Sequence, residues 1–217
     1  AVKERQMLEN RIAVIGLGYV GLPLAVEFGK YFPTVGFDLN VQRIDQLNSG
    51  VDQTEELLSE EISQATKLEF SSDPTSLENA DVFIVAVPTP VDAAKLPDLT
   101  ALKSASHTVG SYLKSGGVAI FESTVFPGAT EEVCVPILEK MSGLIVNDDF
   151  GVGYSPERMS PGDKEHRLSD VVKVTAGGDP NTAAFVARLY GKIVKAGVYQ
   201  ATSIKVAETA KLIENAQ

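Results

Sequence analysis

Glycine occupies the first, third and sixth positions of Gly16-Leu17-Gly18-Tyr19-Val20-Gly21, a spacing suited to holding phosphate. The first glycine permits a tight turn, the second lets backbone approach a pyrophosphate, and the third allows a helix to pack closely. A helix opening here presents its free N–H groups, those of Tyr19 and Val20 among them, and its partial positive charge to an anion. The pattern is weak in isolation. In this chain it directly follows the apolar run "RIAVI", and Asp38 stands 20 residues past Gly18 at the end of the next apolar run. That is the context in which a carboxylate accepts hydrogen bonds from the adenosine ribose of a dinucleotide. A 2′-phosphate about 4 Å from Asp38 would cost roughly 4 kcal/mol at an effective dielectric near 20, so NAD is preferred to NADP. Arg43 weakens that preference, because a nearby guanidinium can take a phosphate.

Further candidate residues fall where apolar runs end: Pro88 and Thr89 in "VPTP", Thr124 in "ESTVFPGAT", and Glu157 with Arg158 in "GYSPER". Near the end of the chain Lys211 and Asn215 are four residues apart, which on a helix gives them one face. Each has a plainer reading. Thr124 could cap the following helix, Glu157 and Arg158 could be a solvated ion pair, and Lys211 with Asn215 could be an ordinary polar face. Cys134 sits in "EEVCVPILEK" among acids and apolar residues, both of which raise a thiol pKa, so it reads as core. His107 and His166 have no partners at ligand spacing, and no metal site is suggested.

The elements that must position these residues alternate regularly. Buried strands are predicted within 11–18, 34–38, 80–90 and 118–124, with further strands at "LEFSSD", 150–158, 170–178 and 193–201. Helices are predicted over 20–32, 40–50, 98–117, 128–143 (with a kink at Pro136) and 180–192, with a short one in "TEELLSEEISQATK" and a last one from about Thr202. Continuous apolar strands separated by helices indicate a mostly parallel sheet covered on both faces, the doubly wound, Rossmann-type α/β class. Ligands of such sheets bind beyond the carboxyl ends of the strands.

The 217 residues include one cysteine and carry a formal charge of −10. The single thiol excludes an internal disulfide and fits a reducing, cytoplasmic setting. The negative charge argues against a general nucleic-acid or anionic-membrane surface. No apolar run reaches the length of a membrane span.

Taken together, "GLGYVGLPLAVEFG", "VPTP", "ESTVFPGAT", "GYSPERMSPGDKEHR" and "SIKVAETAKLIENAQ" resemble, in order, the motifs of the nucleotide-sugar 6-dehydrogenases, the UDP-glucose/GDP-mannose dehydrogenase family. The resemblance implies oxidation of a UDP-sugar primary alcohol to a carboxylate in two NAD-dependent steps, through thiohemiacetal and thioester stages on a cysteine. By the same resemblance Thr89 and Thr124 lie by the nicotinamide and Thr124 helps to position a water. Glu157 is the acid/base, Arg158 contacts substrate, and Lys211 and Asn215 steady an oxyanion. The chain reads Glu122-Ser123-Thr124 where the UDP-glucose branch usually has Lys-Ser-Thr, and Arg158-Met159 where that branch has an apolar pair. It is therefore more similar to enzymes acting on UDP-N-acetylhexosamines such as UDP-N-acetylglucosamine, used for capsule and O-antigen polysaccharides.

In that family the last helix is a connector that pairs two subunits and leads to a second domain with a Gly-Gly-x-Cys nucleophile. The implied division is an NAD-binding domain over 1–200, the start of the connecting helix over 201–217, and a cysteine domain outside this chain. The chain is accordingly expected to bind NAD without turnover, and the whole protein to be a homodimer. A β-hydroxyacid or 6-phosphogluconate-type dehydrogenase domain, and a non-catalytic NAD-sensing module, are the alternatives on the residues alone.

Overall fold

A computed structural model describes residues 10–91, 97–158 and 168–215, with the side chain of the last left aside. Met159 and His166 lie outside these residues. Eight strands among them, β1 (Ile12–Ile15), β2 (Thr34–Phe37), β3 (Leu68–Ser71), β4 (Val82–Val85), β5 (Val118–Phe121), β6 (Gly151–Tyr154), β7 (Lys173–Gly177) and β8 (Val198–Gln200), form one sheet. The order is β3-β2-β1-β4-β5-β6-β7-β8. All neighbours are parallel except β6 and β7. The order reverses direction at β1, between β2 and β4, which is where a doubly wound sheet opens a crevice.

Side chains alternate between two apolar layers. Ala13, Ile15, Phe83, Val85, Ala119 and Phe121 face a cluster shared with α4 (Thr100–Tyr112), α5 (Val135–Ser142) and α7 (Ile204–Asn215). Ile12, Val14, Val82, Ile84, Val118 and Ile120 face the other cluster, with α1 (Gly21–Gly29), α2 (Val41–Asn48) and α6 (Pro180–Tyr190). The central strands are buried on both faces because helices cover both, which is why they read as unbroken apolar runs.

The charged stretch after Gly50 forms the expected short helix, the five-residue α3 (Ser59–Ser63). Two elements differ from the sequence expectation. The helix expected over 128–143 begins as a π-helical turn, Thr130–Cys134, and becomes α-helical at Val135 with Pro136 in its first turn. Pro136 has no N–H for the preceding turn, so the disruption widens that turn instead of breaking the helix. In α4, the expected glycine stop is not what ends the helix, which finishes at Tyr112 when Leu113 turns extended.

Candidate functional site

Strand register puts the predicted residues on one edge. Ile15 is level with Phe37 and Val85, Val85 with Phe121, and Phe121 with Tyr154. This row is the carboxyl end of five parallel strands. The segments that leave it carry the glycine loop, Asp38, Pro88 and Thr89, Glu122 to Thr124, and Ser155 to Arg158.

Each glycine of the loop answers a different constraint. Gly16 has φ of +89°, and a Cβ there would come within 3.0 Å of the Ala86 carbonyl oxygen. A Cβ on Gly21 would overlap the carbonyl oxygen of Gly16, whereas one on Gly18 would meet nothing within 4 Å. Gly18 thus faces the open approach, and no side chain at Val20 caps the start of α1. Asp38 draws the loop to β2: its Oδ2 accepts the Leu17 N–H at 2.8 Å and its Oδ1 accepts the Asn40 N–H at 2.9 Å. Each oxygen keeps acceptor capacity for a ribose hydroxyl.

Arg43 is buried beneath the loop. Its Nε donates to the Leu17 carbonyl at 3.0 Å and its Nη2 lies 2.7 Å from Asp52, while Nη1 is buried without a hydrogen-bond partner. Burial works to raise the Asp52 carboxyl, but hydrogen bonds from Thr54 and Arg43 outweigh it and hold the group below its ordinary value. The guanidinium is thereby neutralised by a protein carboxylate, which leaves it a poorer partner for a 2′-phosphate than the sequence suggests. A left-handed turn, an open second glycine, an uncapped helix start and a carboxylate with spare lone pairs fit a dinucleotide.

The neighbouring loops are stapled together. Ser123 Oγ donates to the Val87 carbonyl and Thr89 Oγ1 to the Thr124 carbonyl, both at 2.5 Å, and Tyr154 Oη donates to the Ser123 carbonyl at 3.2 Å. Thr124 is half-buried and does not cap the next helix. That task falls to Glu208 of α7, which accepts the N–H groups of Gly128 at 2.5 Å and Thr130 at 3.0 Å.

Glu157 is not a solvated partner of Arg158. It is only 4% exposed, its Oε1 accepts the Arg158 N–H at 2.6 Å, and the Arg158 guanidinium instead binds Glu214 of α7 at 2.7 Å. Glu214 also lies 3.4 Å from Lys211, which is 12% exposed. Lys211 belongs to the inward stripe of α7 with Ile204, Ala207 and Glu208, so the half-buried ammonium follows from helical spacing. Asn215 continues the stripe by position, and its side chain lies outside the described residues. Burial, and then the charges of Glu157 and Glu56, raise the Tyr19 hydroxyl above its ordinary value.

Sequence reasoning missed a deeply buried polar cluster around Lys173. Lys173 Nζ lies 2.6 Å from Glu122 Oε2 and 3.9 Å from Glu157 Oε2, donates to the Pro156 carbonyl at 3.0 Å, and sits 5.7 Å from the centre of the Tyr190 ring. Tyr190 Oη donates to the other Glu122 oxygen. Burial is the main cause pushing the Glu122 carboxyl up to about 7, with Lys173 opposing and the charge of Glu157 adding to the rise. Cys134 lies in the core, its thiol pushed up to about 12 by burial, which rules it out as a ready thiolate at neutral pH. Among the described residues no group of three or more His, Cys, Asp or Glu could hold a metal ion, and no helix is long and apolar enough to cross a membrane.

The Glu122 value has a measurable consequence. The folded state keeps a proton that the unfolded chain releases between its ordinary value of 4.5 and about 7. Stability from this group is therefore full below that window and falls as pH rises through it, by about 3 kcal/mol in all. Urea midpoints measured from pH 4.5 to 7.5 should show the decline, and Glu122→Gln should flatten it. A wild-type curve that rises throughout this range would contradict the assignment.

Residues 10–194 match the family described as the UDP-glucose/GDP-mannose dehydrogenase family, NAD binding domain. The chain is 56% identical over 211 residues to a UDP-N-acetyl-D-glucosamine 6-dehydrogenase of Pseudomonas aeruginosa, covering 97% of this chain and 50% of that protein. It is 49% identical over 210 residues to Protein CapL of Staphylococcus aureus, covering 97% and 49%. Among solved structures, the UDP-D-ManNAc dehydrogenase of Pyrococcus horikoshii superposes with a TM-score of 0.88 at 34% identity, over 94% of this chain and 50% of that one. The chain thus spans about half the length of the curated relatives it matches.

Proposed function

Since the chain belongs to the UDP-glucose/GDP-mannose dehydrogenase family, as its NAD-binding domain, we propose that it is the cofactor half of a cytoplasmic, homodimeric UDP-N-acetylhexosamine 6-dehydrogenase. UDP-N-acetylglucosamine is the first candidate substrate, and capsule or O-antigen uronic acids the destination. The observation that carries the reading is the strand-end row, which gathers the glycine loop, Asp38, Thr89, Thr124 and Glu157 on one edge. The sugar rests on the name of the 56% identical relative. Residues 1–200 form the NAD-binding domain and 201–217 begin the connecting helix.

When bound, NAD supplies the hydride acceptor. The chain's own residues do the rest. Gly16, Gly18, Tyr19, Val20 and Gly21 present backbone to the pyrophosphate, and Asp38 binds the adenosine ribose. Pro88, Thr89 and Thr124 border the nicotinamide end. Glu157 moves a proton to or from a water held near Thr124, Arg158 contacts the sugar nucleotide, and Lys211 with Asn215 donates to the developing oxyanion, each donor contributing about 3–4 kcal/mol. The nucleophilic cysteine belongs to the other half of the protein, so this chain alone binds NAD and forms no NADH. A β-hydroxyacid dehydrogenase or a sensing module gives the buried Glu157 no task.

Calorimetric titration with NAD and NADP tests the cofactor half. Saturable NAD binding is expected, with NADP at least tenfold weaker. Asp38→Ala should weaken NAD by roughly 10- to 100-fold, the loss of one or two charge-assisted hydrogen bonds. Equal affinity of the wild-type chain for both cofactors would refute the role of Asp38. For the reaction, NADH formation from UDP-N-acetylglucosamine by the protein carrying both halves, and none by this chain, is the expected pair of results.

A further inference from the structure

Lys173 opens β7, the strand that runs against its neighbour. Because β7 is antiparallel to β6, its first residue lies at the carboxyl edge, beside the segment that leaves β6. There the Lys173 ammonium is almost fully buried between Glu122 and Glu157, with the Pro156 carbonyl as a third partner. Glu122 is held on its other side by Tyr190, whose ring also packs edge-on against Phe28 of α1 at 5.6 Å between centroids. Two carboxylates and one ammonium are more negative charge than an isolated buried cation requires. Buried ion pairs are weak sources of stability, since apolar residues of similar volume often do as well. Perturbed, mutually facing titratable groups concentrate at functional sites. Tyr190 covers the cluster from α6, with its hydroxyl on Glu122 and its ring 5.7 Å from the Lys173 ammonium.

We infer that Lys173 and Glu122, anchored by Tyr190, are positioning residues for Glu157: the ammonium fixes the Pro156 carbonyl and couples the two carboxylates, so that the charge on one is felt by the other. The inference rests on the reading of Glu157 as the acid/base. It assigns work to three residues that the sequence motifs leave unassigned. Glu157 then meets its proton in a site where a second carboxylate, one ammonium away, offsets the change in charge.

The direct test is 13C-carboxyl NMR of Glu122 in this chain across pH 4 to 9. Lys173→Met removes the shared cation and should move the Glu122 midpoint to higher pH. Glu157→Gln removes a like charge and should move it to lower pH, each shift being about one unit. Tyr190→Phe, a milder change that deletes one hydrogen bond to Glu122, should also move it upward and serves if Lys173→Met does not fold. A midpoint unchanged in Glu157→Gln, in a spectrum otherwise native, overturns the coupling.

Turnover by the protein carrying both halves separates this inference from the reading beneath it. Glu157→Gln should abolish kcat, and Glu122→Gln should displace the pH profile of kcat while leaving KM within about twofold. An inactive Glu157→Gln with an undisplaced Glu122→Gln profile overturns the inference alone. Full turnover by Glu157→Gln overturns the functional reading, and the inference with it.

Discussion

Gly21→Ala is expected to cost the chain its NAD binding and about 3 kcal/mol of stability, a fall in Tm of roughly 6–12 °C for a domain of this size. The added methyl would overlap the carbonyl oxygen of Gly16 and press on the Ala86 side chain. Neither the tight turn nor the first residue of α1 can yield without moving the other, because Gly16 N–H is bound to the Phe37 carbonyl at 2.8 Å and Leu22 N–H to the Gly18 carbonyl at 3.0 Å. Gly18→Ala is the informative contrast. Its Cβ would point into open space, so the fold should lose less than about 1 kcal/mol. The same methyl stands where a pyrophosphate must approach, and NAD affinity should fall at least tenfold. Thermal denaturation and calorimetry on both variants separate the two effects. A Gly21→Ala protein melting within 2 °C of wild type would mean that the loop closes differently.

The glycine loop was legible because its constraint is local. A turn, an approach and a helix contact fall within six residues, and the next strand ends on Asp38. The alternation of strands and helices was legible for a related reason, since unbroken apolar runs such as "VFIVAV" need cover on both faces. What escaped the reading depends on direction and distance. Taken as one more parallel strand, β7 would carry Lys173 to the edge far from the site; only its antiparallel pairing with β6 reverses that. Nothing in "DVVKVTAGG" announces the reversal. Glu122 looked like a substitution within a motif, and its partner stands 51 residues away. The sequence offers Arg43 to a phosphate without its partner, because Asp52 reaches it by way of a loop with no periodic pattern. The π-helical turn at Thr130 to Cys134 escaped for a similar reason: Pro136 announces a disruption without saying which way the backbone yields.

The last expected result concerns how the two halves of the proposed site are held together. Glu208→Ala should lower stability by about 2–4 kcal/mol, because it strips a buried carboxylate from two amides, those of Gly128 and Thr130, that have nowhere else to turn. The second attachment of α7 to the site, Arg158 to Glu214, is more than a third exposed on both sides, and such pairs are worth about 0–1 kcal/mol. Glu214→Ala should therefore leave the melting temperature within about 3 °C of wild type. The difference decides which contact sets the position of Lys211, one turn beyond Glu208 on the same inward stripe. In hydrogen–deuterium exchange, Glu208→Ala should raise the rates of the Gly128 and Thr130 amides and of the amides along α7, with β1 and β4 unchanged. Glu208→Gln, which keeps one acceptor and turns an amide donor toward the other N–H, should fall between the two. If α7 exchanges no faster in Glu208→Ala, the apolar contacts of Ile204 and Ala207 alone fix the helix, and the carboxylate only caps the turn at Thr130.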